Sequence, residues 1–225
     1  MSANAEEIAA LLKSEDLGDR LHAVNQVREL DAEHALVLLS TAAQDSSARV
    51  RYAAISQIGT LSLETPAEVL PLLRQALNSD SEVDVRAAAA AALGDLQQPE
   101  ALPDLLAAYE REKGEWLIEF SVVAALGQLG DRRAYDTLVA ALNEDNQLVR
   151  TVAAAALGDL GDVRAVEVLV PLVTDDDWQL RYRTTLSLGR LGGEAARAAL
   201  ETLAKDEVEQ VAEQARVALD QFAPK

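Results

Sequence analysis

The stretch Val149-Arg150-Thr151-Val152-Ala153-Ala154-Ala155-Ala156-Leu157-Gly158-Asp159-Leu160-Gly161-Asp162 carries a helix with its own start and stop signals, and near-copies of it recur along the chain. Val149, Ala153, Ala156 and Leu160 fall at helical spacing and predict one buried stripe. Gly161 stands where a left-handed helix end favours a residue without a Cβ. Asp162 follows in position to cap a second short amphipathic helix, Val163 to Leu172. The unit is therefore a helical hairpin.

Aligning the arginine near the start of the long helix finds the other copies: Arg20, Arg51, Arg86, Glu119 in the arginine's place, Arg150, Arg181 and a degenerate Ala212. These anchors are 31, 35, 33, 31, 31 and 31 residues apart. Gly59, Gly94, Gly127, Gly158 and Gly189 keep an independent register with intervals of 35, 33, 31 and 31. Two residue types holding one spacing imply true repeats. A period in this range, made of paired helices with small residues between them, predicts an all-α fold, an α-solenoid of about seven two-helix repeats. It is expected to form a single domain over residues 6–222, with short tails at 1–5 and 223–225.

Within that frame the first helix is expected over Glu6 to Lys13, with Asp16 or Asp19 capping the next, Arg20 to Leu30. The second unit pairs Ala35–Ala43 with Val50–Leu61. Its longer exit, Ser62-Leu63-Glu64-Thr65-Pro66, accounts for the 35-residue interval, and Pro66 suits a first helical turn. The third pairs Leu70–Leu77 with Val85–Leu96. In the fourth, Leu102–Tyr109 is separated from Trp116–Gly127 by a charged link. The last, with Leu200–Ala204 and Val211–Phe222, has lost the glycine and gained Glu209, Gln210, Glu213 and Gln214, as suits a terminal repeat whose outer face meets water.

Composition narrows the function classes. A net charge of -18 opposes phosphate backbones and anionic lipid, so nucleic acid is not an expected partner. No apolar run reaches membrane-spanning length and the N-terminus lacks a basic leader, so no membrane insertion and a cytoplasmic location are expected. With 0 cysteines there is no disulfide and no thiolate nucleophile or ligand. His22 and His34 read as surface or helix-end residues, the acidic run Asp175-Asp176-Asp177 reads as capping, and no metal site is expected. Phosphate loops and hydrolase or metalloprotease motifs are missing.

The register also singles out candidate binding residues. Trp116 and Trp178 both lie three residues before their anchors, while Phe120, Tyr182 and Tyr52 follow theirs by one. Positions three before and one after share a helix face, and that face is not the apolar stripe. Trp116–Phe120 and Trp178–Tyr182 therefore form two aromatic pairs, on the second helices that line the concave side of such arrays. Tryptophan and tyrosine are favoured contact anchors. The anchor arginines read as a structural ladder with loop aspartates such as Asp80, Asp145 and Asp176. Glu119 breaks that ladder, through either a different local pairing or a modified surface.

The repeat Val-Arg-x-x-Ala-Ala-x-Ala-Leu-Gly-Asp-Leu-Gly-Asp resembles the short HEAT-like repeats of the phycobilin-lyase class over essentially the whole chain. The segments 19–26, 49–57, 115–127 and 177–183 resemble those of the cyanobacterial NblB-type phycobilisome-degradation proteins. The resemblance implies a factor that binds phycobiliprotein subunits, phycocyanin or allophycocyanin, as the antenna is dismantled, and assists bilin detachment. Its alternatives are a phycobilin lyase that attaches or isomerises the chromophore, and a non-enzymatic adaptor for another client such as an iron–sulfur assembly protein. A binding protein is expected before an enzyme; any enzyme would be of the lyase or chromophore-detaching type. The expected state is a monomer without a permanent cofactor, holding phycocyanobilin at most transiently. Arg51, Arg181 and Arg183 become candidates for its propionates where the ladder leaves them free.

Overall fold

The computed structural model describes residues 3–61 and 66–221, which form helices joined by short turns. The helical spacing read from the sequence translates into fourteen α-helices among these residues, with no strand. The expected exit segment before Pro66, and the expected helix end and tail from Phe222 onward, lie outside the described residues.

Contacts divide the chain into two compact units, Met1–Ala108 and Tyr109–Lys225. The first contains α1 (Ala3–Leu11), α2 (Leu17–Gln26), α3 (Ala32–Ala42), α4 (Ala48–Ile58), α5 (Leu70–Ser79) and α6 (Val83–Asp95). The division falls within α7 (Leu102–Arg111). The second unit contains α8 (Trp116–Leu129), α9 (Tyr135–Ala141), α10 (Gln147–Leu160), α11 (Ala165–Leu169), α12 (Trp178–Leu191), α13 (Glu194–Leu203) and α14 (Glu209–Asp220). In each unit the even-numbered helices pack on one another in sequence, α2 on α4 on α6 and α8 on α10 on α12 on α14.

Local chemistry sets the boundaries. Asp16 accepts from the amides of Gly18 and Asp19 at 2.7 and 3.1 Å, so it, not Asp19, caps α2. Asn146 and Asp177 cap α10 and α12 through the amides of Leu148 and Gln179, each at 2.8 Å. Gly130 and Gly161 end α8 and α10 in the left-handed region, at φ 66° and 65°. The first helix begins at Ala3 rather than Glu6, with Ala5 fully buried. The helix expected from Val163 to Leu172 is α-helical only over Ala165–Leu169 and tightens to a 3-10 turn from Val170 to Thr174. Pro171 has no N–H to donate to the preceding turn, which is why the α pattern stops there.

Val149, Ala153, Ala156 and Leu160 are all buried, as their spacing predicts. The periodic glycines explain how close the layers come. A Cβ on Gly127 would lie 2.7 Å from both Cα and Cβ of Ala156, and one on Gly158 would lie 2.8 Å from the Cα of Ser187. Gly59 meets Ala92 in the first unit in the same way, with a Cβ 2.9 Å from its Cα, while Gly189 faces Ala218 more loosely. Each glycine stands eight residues after its anchor and each facing residue six after the next. Ser187 uses that position to donate to the Ala154 carbonyl at 2.8 Å, and Gln57 to donate to the Val24 carbonyl at 3.0 Å. Both bonds are buried and join successive second helices.

Candidate partner-binding groove

The anchor arginines are structural. In Arg20, Arg51, Arg86, Arg150 and Arg181, Nη1 donates to the two loop carbonyls six and five residues upstream, closing the turn into each second helix. Arg20, Arg51 and Arg181 also reach a carboxylate of the following hairpin. Arg51 binds Asp80 through two bonds of 2.7 and 2.8 Å, and Arg181 binds Asp206 through 2.7 and 2.9 Å. Arg20 meets Asp45 at 2.9 Å. These bonds hold Asp80 and Asp206 below the ordinary carboxylate pKa and raise their arginines. Asp145 and Asp176, expected as ladder carboxylates, contribute backbone carbonyls instead.

Two candidate contacts are thereby corrected. Arg51 and Arg181 have their guanidinium donors occupied, and Arg181 is only 6 % exposed, so neither is available to a ligand's carboxylate. Glu119 is a third correction, buried at 3 % exposure rather than displayed. Its carboxylate accepts from the Gly114 amide at 2.8 Å, so the hairpin replaces a side-chain donor aimed at loop carbonyls with a side-chain acceptor aimed at a loop amide. Nearby, the buried Tyr109 donates to Glu144 at 2.7 Å. Burial and that bond push the phenol pKa well above its usual value.

The aromatics behave differently. Trp116 and Trp178 stay 44 % and 41 % exposed, so neither is enclosed between layers. Phe120, Trp178, Tyr182 and Arg183 come together in one groove of about 900 Å³ within the second unit. All its lining residues lie on α8, α10, α12 and α14, the second helices of successive hairpins. Trp116 precedes Phe120 by one helical turn on α8 but does not line the groove. Tyr52 lines a separate hollow of about 390 Å³ in the first unit, beside Arg49, Glu82 and Asp84.

Sequence reasoning missed Leu148, Thr151 and Val152 on α10, and Val217 on α14. They occupy the positions two before, one after, two after and five after their anchors, so extending the aromatic register to its neighbours would have found them. Gln210, Glu213 and Gln214, read as the outer face of a terminal repeat, form the far wall of the groove instead. The reason is that α14 offers two faces, and one of them continues the shared surface of α10 and α12.

His22 is exposed and His34 binds the Asp31 carboxylate through Nδ1 at 2.8 Å. Asp175 and Asp177 accept local backbone amides, at 2.9 and 2.8 Å. Among the described residues, no group of three His, Cys, Asp or Glu is placed to hold a metal ion, and no helix is long and apolar enough to cross a membrane.

A seam of stacked helical hairpins with a shared face on the second helices defines a repeat-type helical scaffold, and the sequence places it within a family. The HEAT-repeat pattern matches residues 70–158 and 137–220, more than half of the chain, and the chain belongs to the HEAT-repeat family. Its fold is similar to a chain of the complex of CpcE and CpcF of phycocyanin lyase from Nostoc sp. PCC7120, with a TM-score of 0.64 and 21 % identity over 99 % of this chain and 96 % of that one. A HEAT-like repeat protein of Thermococcus onnurineus NA1 is similar with a TM-score of 0.61 and 16 % identity, covering 98 % and 97 % of the two chains. A chain in the structure of Kap95p with RanGDP gives 0.69 at 13 % identity, with 98 % of this chain matching 36 % of that one. No curated protein matches the sequence.

Proposed function

We propose that this HEAT-repeat protein binds a phycobiliprotein subunit through the groove of its second unit and acts in phycobilisome degradation, assisting detachment of the bilin. The observation that carries the binding reading is the groove itself: Phe120, Trp178 and Tyr182 converge from two hairpins onto an open, partly apolar surface. Exposed aromatic clusters rimmed by polar residues are the usual energetic centres of protein contacts. The repeat segments that resemble degradation factors support the cellular role, and Arg183 is the arginine of the three candidates that lines the groove.

Attachment or isomerisation of the bilin is the second reading. It is supported by the likeness of almost the whole chain to a subunit of the phycocyanin lyase complex. One mixing experiment separates the two. The purified protein is incubated with phycocyanin, and separately with apo-subunit plus free phycocyanobilin. A complex with loss of covalently held bilin is the expected outcome. Bilin addition to the apo-subunit selects the second reading, and no interaction in either arm leaves an adaptor for another client.

A further inference from the structure

The polar side chains of the groove differ from the anchor arginines in their pairing. Most of the chain's arginines are tied to carboxylates or carbonyls, in bonds such as those of Arg20, Arg51, Arg74, Arg133, Arg164 and Arg181. Along the groove, by contrast, Gln179, Arg183, Gln210, Glu213 and Gln214 make no side-chain hydrogen bond or ion pair in the described structure. Three amides, one cation and one anion thus face the same space as Phe120, Trp178 and Tyr182. In a chain of net charge -18, this surface carries one Arg against one Glu and is locally neutral.

An occupant has to satisfy these groups, because a desolvated amide or guanidinium left unpaired costs about 1–3 kcal/mol. A helical segment bonds its own backbone groups internally and would leave the three glutamines with few partners. A flat tetrapyrrole covers the aromatics, but its propionates and lactam groups are carried on one ring system, whereas the amides are spread over α12 and α14. An extended strand of chain presents free N–H and C=O groups along its length, and each glutamine supplies both an acceptor and donors.

We infer that the groove binds an extended peptide segment of its client, with a bulky apolar side chain against Phe120, Trp178 and Tyr182 and an adjacent carboxylate on Arg183. Gln179, Gln210 and Gln214 then bond the segment's backbone. This rests on the proposed binding role of the groove and specifies what enters it. The recognition is short-ranged, since the overall charge of the protein repels acidic partners until Arg183 is reached.

The test uses the whole chain carrying Trp116→Phe, so that Trp178 is the sole tryptophan reporter. It is titrated with a library of ten-residue peptides centred on Leu–Asp or Phe–Asp pairs, with a proline that prevents helix formation. The same cores are also presented in helix-stapled form and with Asn in place of Asp. Binding of extended Asp peptides is expected to shift Trp178 emission, with about tenfold loss on Asp→Asn in the peptide. That tenfold difference is expected to vanish in Arg183→Gln, an exposed substitution whose helix content is checked by circular dichroism. Gln210→Ala with Gln214→Ala is expected to weaken extended peptides but not free phycocyanobilin. Equal or tighter binding of stapled peptides, an Asp preference that survives in Arg183→Gln, or no peptide binding at all overturns the inference. Peptide binding without any interaction with phycocyanin would preserve it while removing the proposed client.

Discussion

Gly158 and Ser187 touch across successive second helices so closely that a Cβ on Gly158 would fall 2.6 Å from the Cβ of Ser187 and 2.8 Å from its Cα. Backbone cannot swing aside as a side-chain tip can. In an isolated helix Gly→Ala stabilises by about 1 kcal/mol, but overpacking a close contact costs about 1–3 kcal/mol. Gly158→Ala is therefore expected to lower stability in urea unfolding, and Ser187→Gly to recover part of the loss in the double variant. Gly189→Ala, whose new Cβ meets only the Ala218 Cβ at 3.0 Å, is expected to be near neutral. Equal effects at the two glycines would show that layer contact does not explain the register.

The exposed tryptophans separate binding from folding. Trp178→Ala is expected to weaken phycocyanin binding more than tenfold, while the pair Trp116→Ala and Trp178→Ala changes unfolding free energy by less than about 2 kcal/mol. Trp116→Ala alone is expected to affect binding less, since Trp116 lies outside the groove lining. Calorimetric titration beside urea unfolding reads both quantities, and a parallel loss of fold and binding would make the rings core.

Glu119 offers a test of the reversed turn. Restoring the repeat's arginine with Glu119→Arg places a donor opposite the Gly114 amide, itself a donor, and is expected to cost about 1–3 kcal/mol. Glu119→Gln keeps an acceptor oxygen and is expected to cost less. Thermal unfolding of the two variants checks the order.

Acid stability follows from the clasped aspartates. The Arg164 guanidinium beside Asp162 holds its carboxyl down at about 2, and Arg133 does the same for Asp131. A carboxylate with a folded pKa below its unfolded value of 3.8 contributes stability that is present above that value and lost as pH falls toward 2. Unfolding free energy is thus expected to drop between about pH 4 and pH 2, and Asp162→Asn to flatten that drop. A variant with the unchanged acid limb would count against the assignment.

The repeat frame was legible in the sequence because arginine and glycine held one spacing for independent reasons: Arg51 and its equivalents close a turn, Gly158 and its equivalents admit a neighbouring helix. The aromatic face was legible from Trp178 and Tyr182, which differ by one helical turn. Pairing was harder. That Arg181 spends its donors on Asp206 depends on which loop lies within reach, and periodicity gives equivalence between hairpins but not the distance between their turns. Glu119 could be seen as an exception, yet its solution is a reversed bond to a backbone amide, which carries no side-chain signature. Gln210 and Gln214 were misplaced because polarity near a chain end suits both an outer cap and a groove wall.

The glycine contacts have a mechanical consequence. They join α10, α12 and α14 toward their C-terminal ends, whereas Leu148 and Trp178 stand near the opposite ends of their helices. From Ser187 back to Trp178 is roughly 13 Å along the axis at about 1.5 Å per residue. Val149, Ala153, Leu180 and Thr184 are buried in between, so α10 and α12 are packed continuously from that contact to the groove. A methyl added at Gly158 would thus press on α12 about two and a half turns from Trp178, at a place no groove occupant reaches, so spacing between neighbouring helices and contact with a client are set by different residues of the same elements.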